Sequence, residues 1–349
     1  MKVKEDMKEK GLQMQWADLS RYRSELMGFA MLAVLFFHVG GNHNETFFYC
    51  LSRCGNVGVD MFLFLSGVGL WFAWSKKPSL ALFFKRRYVR VYPAWFVVAC
   101  LYFVPLYVGG KMSLADTLLN VAVYWDFWTV YGELHFWYIP AVMALYTVAP
   151  LYMRLVSRSR AWCWLPVVFM VFCLLMRYDV TLYRHLRHLE IFFSRIPIFL
   201  MGVNVGQWVK EKRVETPDSW IVAAVVFLFS AWACVLLEDG LRGRFPLFLE
   251  RMVYIPLSVS MMLLLCRLFS ELPRLLLRSL AFVGSVSLEF YLIHVEFVMK
   301  PLRSLQLGYW LTVLLTLAVT LPLSWLLHKA IEKVEHMRNK KRYNNEGYH

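Results

Sequence analysis

Long apolar runs recur along this chain from Leu26 to Leu327, and the charged residues are gathered between them. A run of about 20 apolar residues is long enough to cross a bilayer as a helix. Because lipid offers no hydrogen bonds to the backbone, only helices or closed barrels can cross it. With 349 residues, 59% of them hydrophobic, the chain is predicted to be an all-α polytopic transmembrane helix bundle without a separate soluble domain.

The apolar runs predict ten spans. They cover residues 22–40, 56–75, 90–108, 135–156, 162–177, 193–209, 219–237, 251–268, 279–299 and 308–328. This divides the chain into a short N-terminal segment (1–20), a membrane domain (21–328) and a charged tail (329–349). No internal repeat is visible in the sequence.

The orientation of the bundle follows from lysine and arginine, because short cytoplasmic loops carry an excess of both. With the N-terminus placed inside, the inner loops hold 27 of the 38 basic residues. This bias predicts that both termini are cytoplasmic, in a multi-pass protein of the cell (inner) membrane. Attraction of the basic loops to anionic lipid headgroups accounts for the net charge of +14, so membrane lipid rather than nucleic acid is the expected partner.

Two ionisable residues occupy positions where a lipid-facing side chain would be costly. His38 ends the first predicted helix, and Asp60 opens the second. An aspartate near the bilayer centre costs roughly 2.5 to 3.5 kcal/mol on insertion scales, so such residues are expected to face a protein-lined cavity. The first two helices are therefore the predicted place of any chemistry.

His38 is the candidate general base, because histidine titrates near neutral pH and can take up and return a proton. Asp60 is suited to hold the imidazole in one tautomer if the two helices pack side by side. An aspartate at the start of a helix is equally expected as an N-cap. Both interpretations of Asp60 stay open, and they are compatible.

A basic cluster follows the second predicted helix. Arg87 and Arg90 are three residues apart and Arg86 and Arg90 are four apart, so they share one face of a helix. Guanidinium groups bind phosphate in bidentate fashion, which suits a phosphorylated cytosolic cofactor. Taken alone, however, the cluster is better explained by the positive-inside rule.

The chain resembles the integral-membrane acyltransferase 3 family from about residue 20 to residue 328. The resemblance is carried, in order, by the strings ELMGFAMLAVLFFH, GNVGVDMFLFLSG, FFKRRYVRVYP, HFWYIPAVMALYTVAP and SVSLEFYLIH. It implies a ten-helix bundle that moves an acyl group, usually acetyl from acetyl-coenzyme A, onto a hydroxyl of a cell-surface glycan or related acceptor. No metal is expected to take part.

Residue by residue, the resemblance assigns the helix-one histidine to His38, the aspartate after glycine and valine to Asp60, and the paired arginines to Arg87 and Arg90. The family usually has an arginine eleven residues before the histidine. This chain has Met27 there, and Arg23 lies one turn earlier. At about 100° per residue Arg23 points within about 60° of the same direction, so it is a candidate replacement on the donor side.

Further candidates lie on the predicted outer side, where an acceptor would bind. Glu133 and His135 open the fourth predicted helix, where they either contact the acceptor or mark the membrane interface. His294 shares a helical face with Tyr291. A hydrogen-bonded packing role is the more general expectation for such a histidine, and substrate contact is the alternative.

These features predict a membrane O-acyltransferase that uses acetyl-coenzyme A as acyl donor and a glycan or lipid-linked saccharide as acceptor. The sequence leaves open direct transfer or an acyl-histidine step. A transporter or flippase for a lipid-linked or anionic substrate would account equally well for buried ionisable residues. Transporters tend to have related halves or interrupted helices, and neither is evident in the sequence. A membrane-embedded sensor leaves the ordered strings unexplained.

Overall fold

The computed structural model describes residues 13–40, 49, 52–129, 135–238, 241 and 244–346, with side chains described up to residue 337. Nearly all of these residues are helical. Within them, the only strands are Met14–Gln15 and Val214–Glu215, which pair antiparallel with Met14 opposite Glu215. The predicted all-helical fold class is confirmed.

Twelve numbered helices define the fold of the described residues. They are α1 (Arg23–Val39), α2 (Val57–Lys76), α3 (Leu80–Val108), α4 (Leu114–Val123), α5 (Tyr138–Arg158), α6 (Leu165–Tyr178), α7 (Ile196–Lys210), α8 (Ser219–Glu238), α9 (Leu247–Phe269), α10 (Arg274–Ser285), α11 (Ser287–Ile293) and α12 (Tyr309–Glu346). A further helix of seven residues, Val180–Leu186, precedes α7 and is referred to by its range. Shorter segments are Asp18–Arg21, Trp125–Thr129, Glu190–Phe193 and Lys300–Arg303, the 3₁₀ helices His135–Trp137, Arg160–Trp164 and Arg187–Leu189, and a π-helix, His294–Met299.

Among the described residues, eight helices are long and apolar enough to cross a membrane, or nine if the interrupted pair α10 and α11 forms one span. Helix α1 is also apolar but has 17 residues. Each of the ten predicted runs coincides with one of these segments, because the length and polarity of a run decide whether it can cross. The side on which the termini lie stays a prediction.

The ninth predicted run is interrupted, whereas the sequence suggested a continuous helix over 279–299. Helix α10 ends at Ser285 and α11 begins at Ser287, and α11 continues into the π-helix. The interruption lies in GSVSL, where serine side chains compete with the backbone for hydrogen bonds. The prediction that no helix is interrupted, which counted against a transporter, is therefore wrong.

The chain forms two compact units. The first comprises residues 1–84 and 141–284, and the second comprises residues 85–140 and 285–349. In the first unit α2 is the central helix: 83% of its apolar window is buried, against 17% for the windows that contain α6 and α8. Helix α2 packs on α1 and α7, while most of the surface of α6 and α8 is exposed.

Close approach of α2 to its neighbours depends on glycine. A Cβ added to Gly58 would lie 2.2 Å from the Ala30 carbonyl oxygen of α1. A Cβ on Gly67 would lie 2.4 Å from the Phe199 carbonyl oxygen of α7, and one on Gly202 would lie 2.2 Å from that of Phe64. Small residues let membrane helices approach to backbone contact. Gly67 and Gly202 therefore permit the close packing of α2 and α7.

In the second unit, the segment that follows α3, which the structure describes up to Thr129, packs against this helix. The Trp95 indole donates a hydrogen bond of 3.0 Å to the Val121 carbonyl oxygen of α4. The rings of Tyr124 and Phe136 pack on Trp95 at centroid distances of 5.8 and 5.6 Å. These contacts hold the start of the next span, at His135, beside α3.

Candidate functional site

The candidate base and the candidate donor-side arginine lie at opposite ends of α1. Arg23 is the first residue of this helix, and His38 is in its last turn. At 1.5 Å per residue they are about 22 Å apart. His38 is half-buried, and its ring lies 5.4 Å from the ring of Phe37. The C-terminal end of a helix favours a positive charge, which suits an imidazole that accepts a proton.

Asp60 forms a buried ion pair with an arginine that sequence analysis did not single out. Arg195, immediately before α7, donates from Nη1 to Oδ1 of Asp60 and from Nη2 to Oδ1 of Asn56 at 2.7 Å. The three residues are at most 4% exposed. A guanidinium and a carboxylate this deeply buried need each other, because removing either leaves an uncompensated charge.

This pairing corrects both predicted roles of Asp60. The first turn of α2 follows Asn56, and no side-chain capping bond is made there, so Asp60 is not an N-cap. Asp60 Oδ2 has no hydrogen-bond partner among the described residues, so the predicted contact with the His38 imidazole is not made. In a low-dielectric site the permanently charged guanidinium is the stronger partner for a carboxylate.

A second carboxylate extends the buried polar cluster toward the end of α1. Glu238, the last residue of α8, accepts hydrogen bonds from Arg53 Nε at 3.1 Å and from the Tyr254 hydroxyl at 2.9 Å. The Arg53 guanidinium lies 4.7 Å from the centre of the Phe37 ring. The cluster is thereby linked through Phe37 to the turn that carries His38.

Arg251 of α9 adds a third guanidinium to this cluster. It is 8% exposed, and its guanidinium lies 5.5 Å from the Tyr254 ring centre. Its Nε and Nη1 have no hydrogen-bond partner among the described residues. The buried carboxylate of Glu190 also interacts with Arg251, so the three guanidiniums are matched by three carboxylates, those of Asp60, Glu190 and Glu238.

The donor-side arginines are divided between the two units. In the first, the Arg23 guanidinium lies against α2, since a Cβ on Gly69 would be 3.2 Å from its Nη2. In the second, the helical spacing of Arg86, Arg87 and Arg90 is confirmed by their place in α3. Arg86 and Arg90 are exposed and Arg87 is half-buried.

The second unit contains a carboxylate and imidazole pair. Glu296, in the π-helix, accepts from His135 Nδ1 at 3.1 Å and from Lys300 Nζ at 2.6 Å. The Tyr291 hydroxyl donates to the His135 carbonyl oxygen. The Glu296 side chain is 1% exposed and that of His135 is 33% exposed. π-Helical turns occur frequently at functional sites, and this one places Glu296 against His135.

Two other predicted acceptor residues have different outcomes. Glu133 lies outside the described residues. His294 is 0% exposed, and its Nδ1 lies 3.0 and 2.9 Å from the Phe290 and Tyr291 carbonyl oxygens of its own helix. The packing alternative for His294 therefore fits the structure, and the substrate contact stays a prediction.

Sequence analysis missed Arg195, Glu238, Arg251 and Glu296. Arg195 and Glu296 lie inside predicted helices, and the cost argument that singled out Asp60 and His38 applies to them equally. Glu238 and Arg251 lie at helix ends, where a charge is ordinary. Their burial follows from packing that the local sequence does not show.

Arg195→Met is expected to destabilise the protein by about 3 to 5 kcal/mol, because it leaves the Asp60 carboxylate buried without its partner. Adding Asp60→Asn should recover part of that loss. Thermal unfolding is measured for the purified wild type, each single variant and the double variant. Their differences give the coupling energy between Asp60 and Arg195. Arg267→Met, at an exposed i,i+4 pair with Glu271, is the control and should cost at most about 1 kcal/mol. Strictly additive effects of the two substitutions would contradict the pairing.

Comparison with known proteins places the chain in one family. Residues 26–329 match the acyltransferase 3 family, described as an acyltransferase domain. No curated protein and no solved structure matches the chain significantly. The match includes the helix end with His38, the buried carboxylate Asp60 and the arginines of α3. The chain belongs to the acyltransferase 3 family and is a membrane acyltransferase.

Proposed function

We propose that this protein transfers an acetyl group from acetyl-coenzyme A to a hydroxyl of a cell-surface or exported glycan, at the cell's inner membrane. The family match over residues 26–329 supports acyl transfer. The observation that carries the proposal is the position of His38, which is half-buried at one end of α1. The buried polar cluster is linked to that end through Phe37 and Arg53.

In the proposed reaction His38 acts as the general base. The imidazole takes the proton of the acceptor hydroxyl, whose oxygen bonds to the acyl carbon while the carbon–sulfur bond breaks. The imidazolium then returns the proton to the departing thiolate. Negative charge develops on the acyl oxygen during this step, and the Arg53 guanidinium, which lies against the Phe37 ring next to His38, would favour that charge electrostatically.

The arginines supply the donor side of the proposal. Arg87, Arg90 and Arg86 on α3 would bind the phosphates of acetyl-coenzyme A. Arg23 is the candidate replacement for the arginine that the family has at Met27. Its guanidinium lies between α1 and α2 over Gly69, which supports a role inside the bundle.

His135 is the candidate contact for the acceptor. Its Nδ1 is held by Glu296, which fixes the orientation of the ring. Partial exposure of the ring is compatible with that contact. In this role His135 binds acceptor, and Glu296 is a positioning residue that sets its tautomer.

A transporter or flippase is the second candidate, because α10 and α11 are interrupted as in many transporters. The two functions differ in one measurable product. An acyltransferase consumes acetyl-coenzyme A and releases free thiol, whereas a transporter does neither.

His38→Asn is expected to lower acetyl transfer by about 10²- to 10⁴-fold, the usual contribution of a general base. Thiol release by the purified protein with acetyl-coenzyme A and polysaccharide measures the rate. Mass spectrometry of surface polysaccharide from cells carrying each variant shows whether acetyl esters are lost. His336→Asn, at an exposed position of α12, is the matched control. Full activity of His38→Asn would contradict the assignment, and no thiol release by the wild type would favour transport.

The double variant Arg87→Ala, Arg90→Ala is expected to weaken acetyl-coenzyme A binding at least tenfold, since each charge-assisted hydrogen bond is worth about 1.5 to 3 kcal/mol. Titration calorimetry measures the affinity. Lys77→Ala, Lys85→Ala removes the same charge from exposed positions nearby and should bind as wild type. Unchanged affinity in the arginine variant would refute the phosphate contact.

Glu296→Gln is expected to raise the KM for the acceptor several-fold while the KM for acetyl-coenzyme A stays constant, because the amide no longer fixes the charge and tautomer of His135. Steady-state kinetics with each substrate varied in turn distinguish the two. Glu332→Gln, an exposed change of the same kind on α12, is the control. A changed KM for acetyl-coenzyme A with an unchanged KM for the acceptor would contradict the assignment of His135 to acceptor binding.

A further inference from the structure

The first unit contains an open groove between its two outermost helices. Helix α6 packs on α7, and α8 packs on α9, so the two outer helices rest on different inner helices. The space between them measures about 1290 Å³. None of the residues that line it belongs to α1, which carries His38, or to the buried charged cluster.

Most of the groove is apolar. Its walls are formed by Val167 and Met170 of α6 and by Val222 and Val226 of α8. The back is formed by inner-helix residues, among them Met201, Val205, Ile255, Val259 and Leu263. Val167 and Val222 are 44% and 61% exposed. On helices that face lipid, such surface is where acyl chains lie.

One end of the groove is polar and basic. Arg158 and Arg160, with Ser157 and Ser159, join α5 to the segment before α6, and all four line the groove. Both arginines are exposed. Trp16 and Trp208 line the same end, and tryptophan is enriched at the level of lipid headgroups.

The polar end is held by contacts within the first unit. The Tyr152 hydroxyl donates to Asn204 Oδ1 at 2.7 Å, and Asn204 Nδ2 donates to the Cys163 carbonyl oxygen at 3.1 Å. The Trp16 indole donates to Glu215 Oε1 at 3.0 Å, and its ring lies 5.2 Å from that of Trp208. These hydrogen bonds and the ring contact fix the side chains around the polar end of the groove.

We infer that this groove binds one anionic phospholipid. Its phosphate would contact the guanidiniums of Arg158 and Arg160, and its acyl chains would lie along Met170, Val226 and Val259. The charge complementarity at one end and the apolar length beyond it match the two parts of such a lipid. Basic pockets between membrane helices bind anionic headgroups in this way. The inference does not depend on the proposed acetyl transfer.

The headgroup contact is tested by native mass spectrometry of the full chain with phosphatidylglycerol and with phosphatidylcholine of the same acyl chains. The wild type should retain phosphatidylglycerol preferentially, and Arg158→Gln, Arg160→Gln should lower that retention at least tenfold. Arg274→Gln, Arg278→Gln removes the same charge at exposed positions of α10 and should behave as wild type. Equal losses in the two double variants would mean general attraction to basic surface and would overturn the inference.

The acyl-chain contact is tested by Met170→Trp, which fills the apolar part and leaves both arginines in place. This variant should also lose preferential retention, and its thermal midpoint should no longer rise with added phosphatidylglycerol as that of the wild type does. Unchanged retention would show that the lipid lies elsewhere. Dimerisation of the wild type that is abolished by Met170→Trp and unaffected by phosphatidylglycerol would assign the groove to a second copy of the chain and also overturn the inference.

Discussion

The ion pair between Asp60 and Arg195 is the interaction on which the interior of the first unit depends. A charge inside a membrane protein is tolerated when another charge meets it at hydrogen-bonding distance, and this requires α2 and α7 to lie very close. The glycines at 67 and 202 permit that approach, because either helix would otherwise place a Cβ against the other's backbone. Backbone contact and charge pairing therefore impose the same geometry on the same two helices.

The pairing also changes what the helix-one histidine can be expected to do. An imidazole bonded to Asp60 would form a fixed dyad, with the carboxylate neutralising the imidazolium. In the structure the Asp60 carboxylate pairs with Arg195 instead, so it does not neutralise an imidazolium at His38. The proposed proton uptake by His38 depends on the C-terminal end of α1, which favours a positive charge. Carboxylate and imidazole pairs occur instead in the second unit, between Glu296 and His135 and between Glu289 and His328.

The predictable part of the fold is the part that short stretches of sequence determine. Length and polarity alone decide whether a run can cross a bilayer, and the ten runs were identified on that basis. The burial of Asp60 was predicted from the same cost argument, but its partner lies 135 residues away along the chain, and only the packing of α2 on α7 brings the two together. Arg195 itself was within reach of sequence reasoning, since it interrupts an apolar run. The interruption at Val286 was not, because valine between serines is compatible with a helix.

The position of Arg23 bears on its proposed replacement of the family's arginine. The chain has Met27 where the family usually has arginine, and Arg23 lies a turn nearer the start of α1. A residue there reaches the interface between α1 and α2 only if the opposite helix leaves room. Gly69 provides that room, since even a single Cβ would come within 3.2 Å of the guanidinium. The long, flexible side chain of Arg23 faces Gly69, which has no side chain. Its guanidinium therefore reaches the interior although its backbone lies in the first turn of α1.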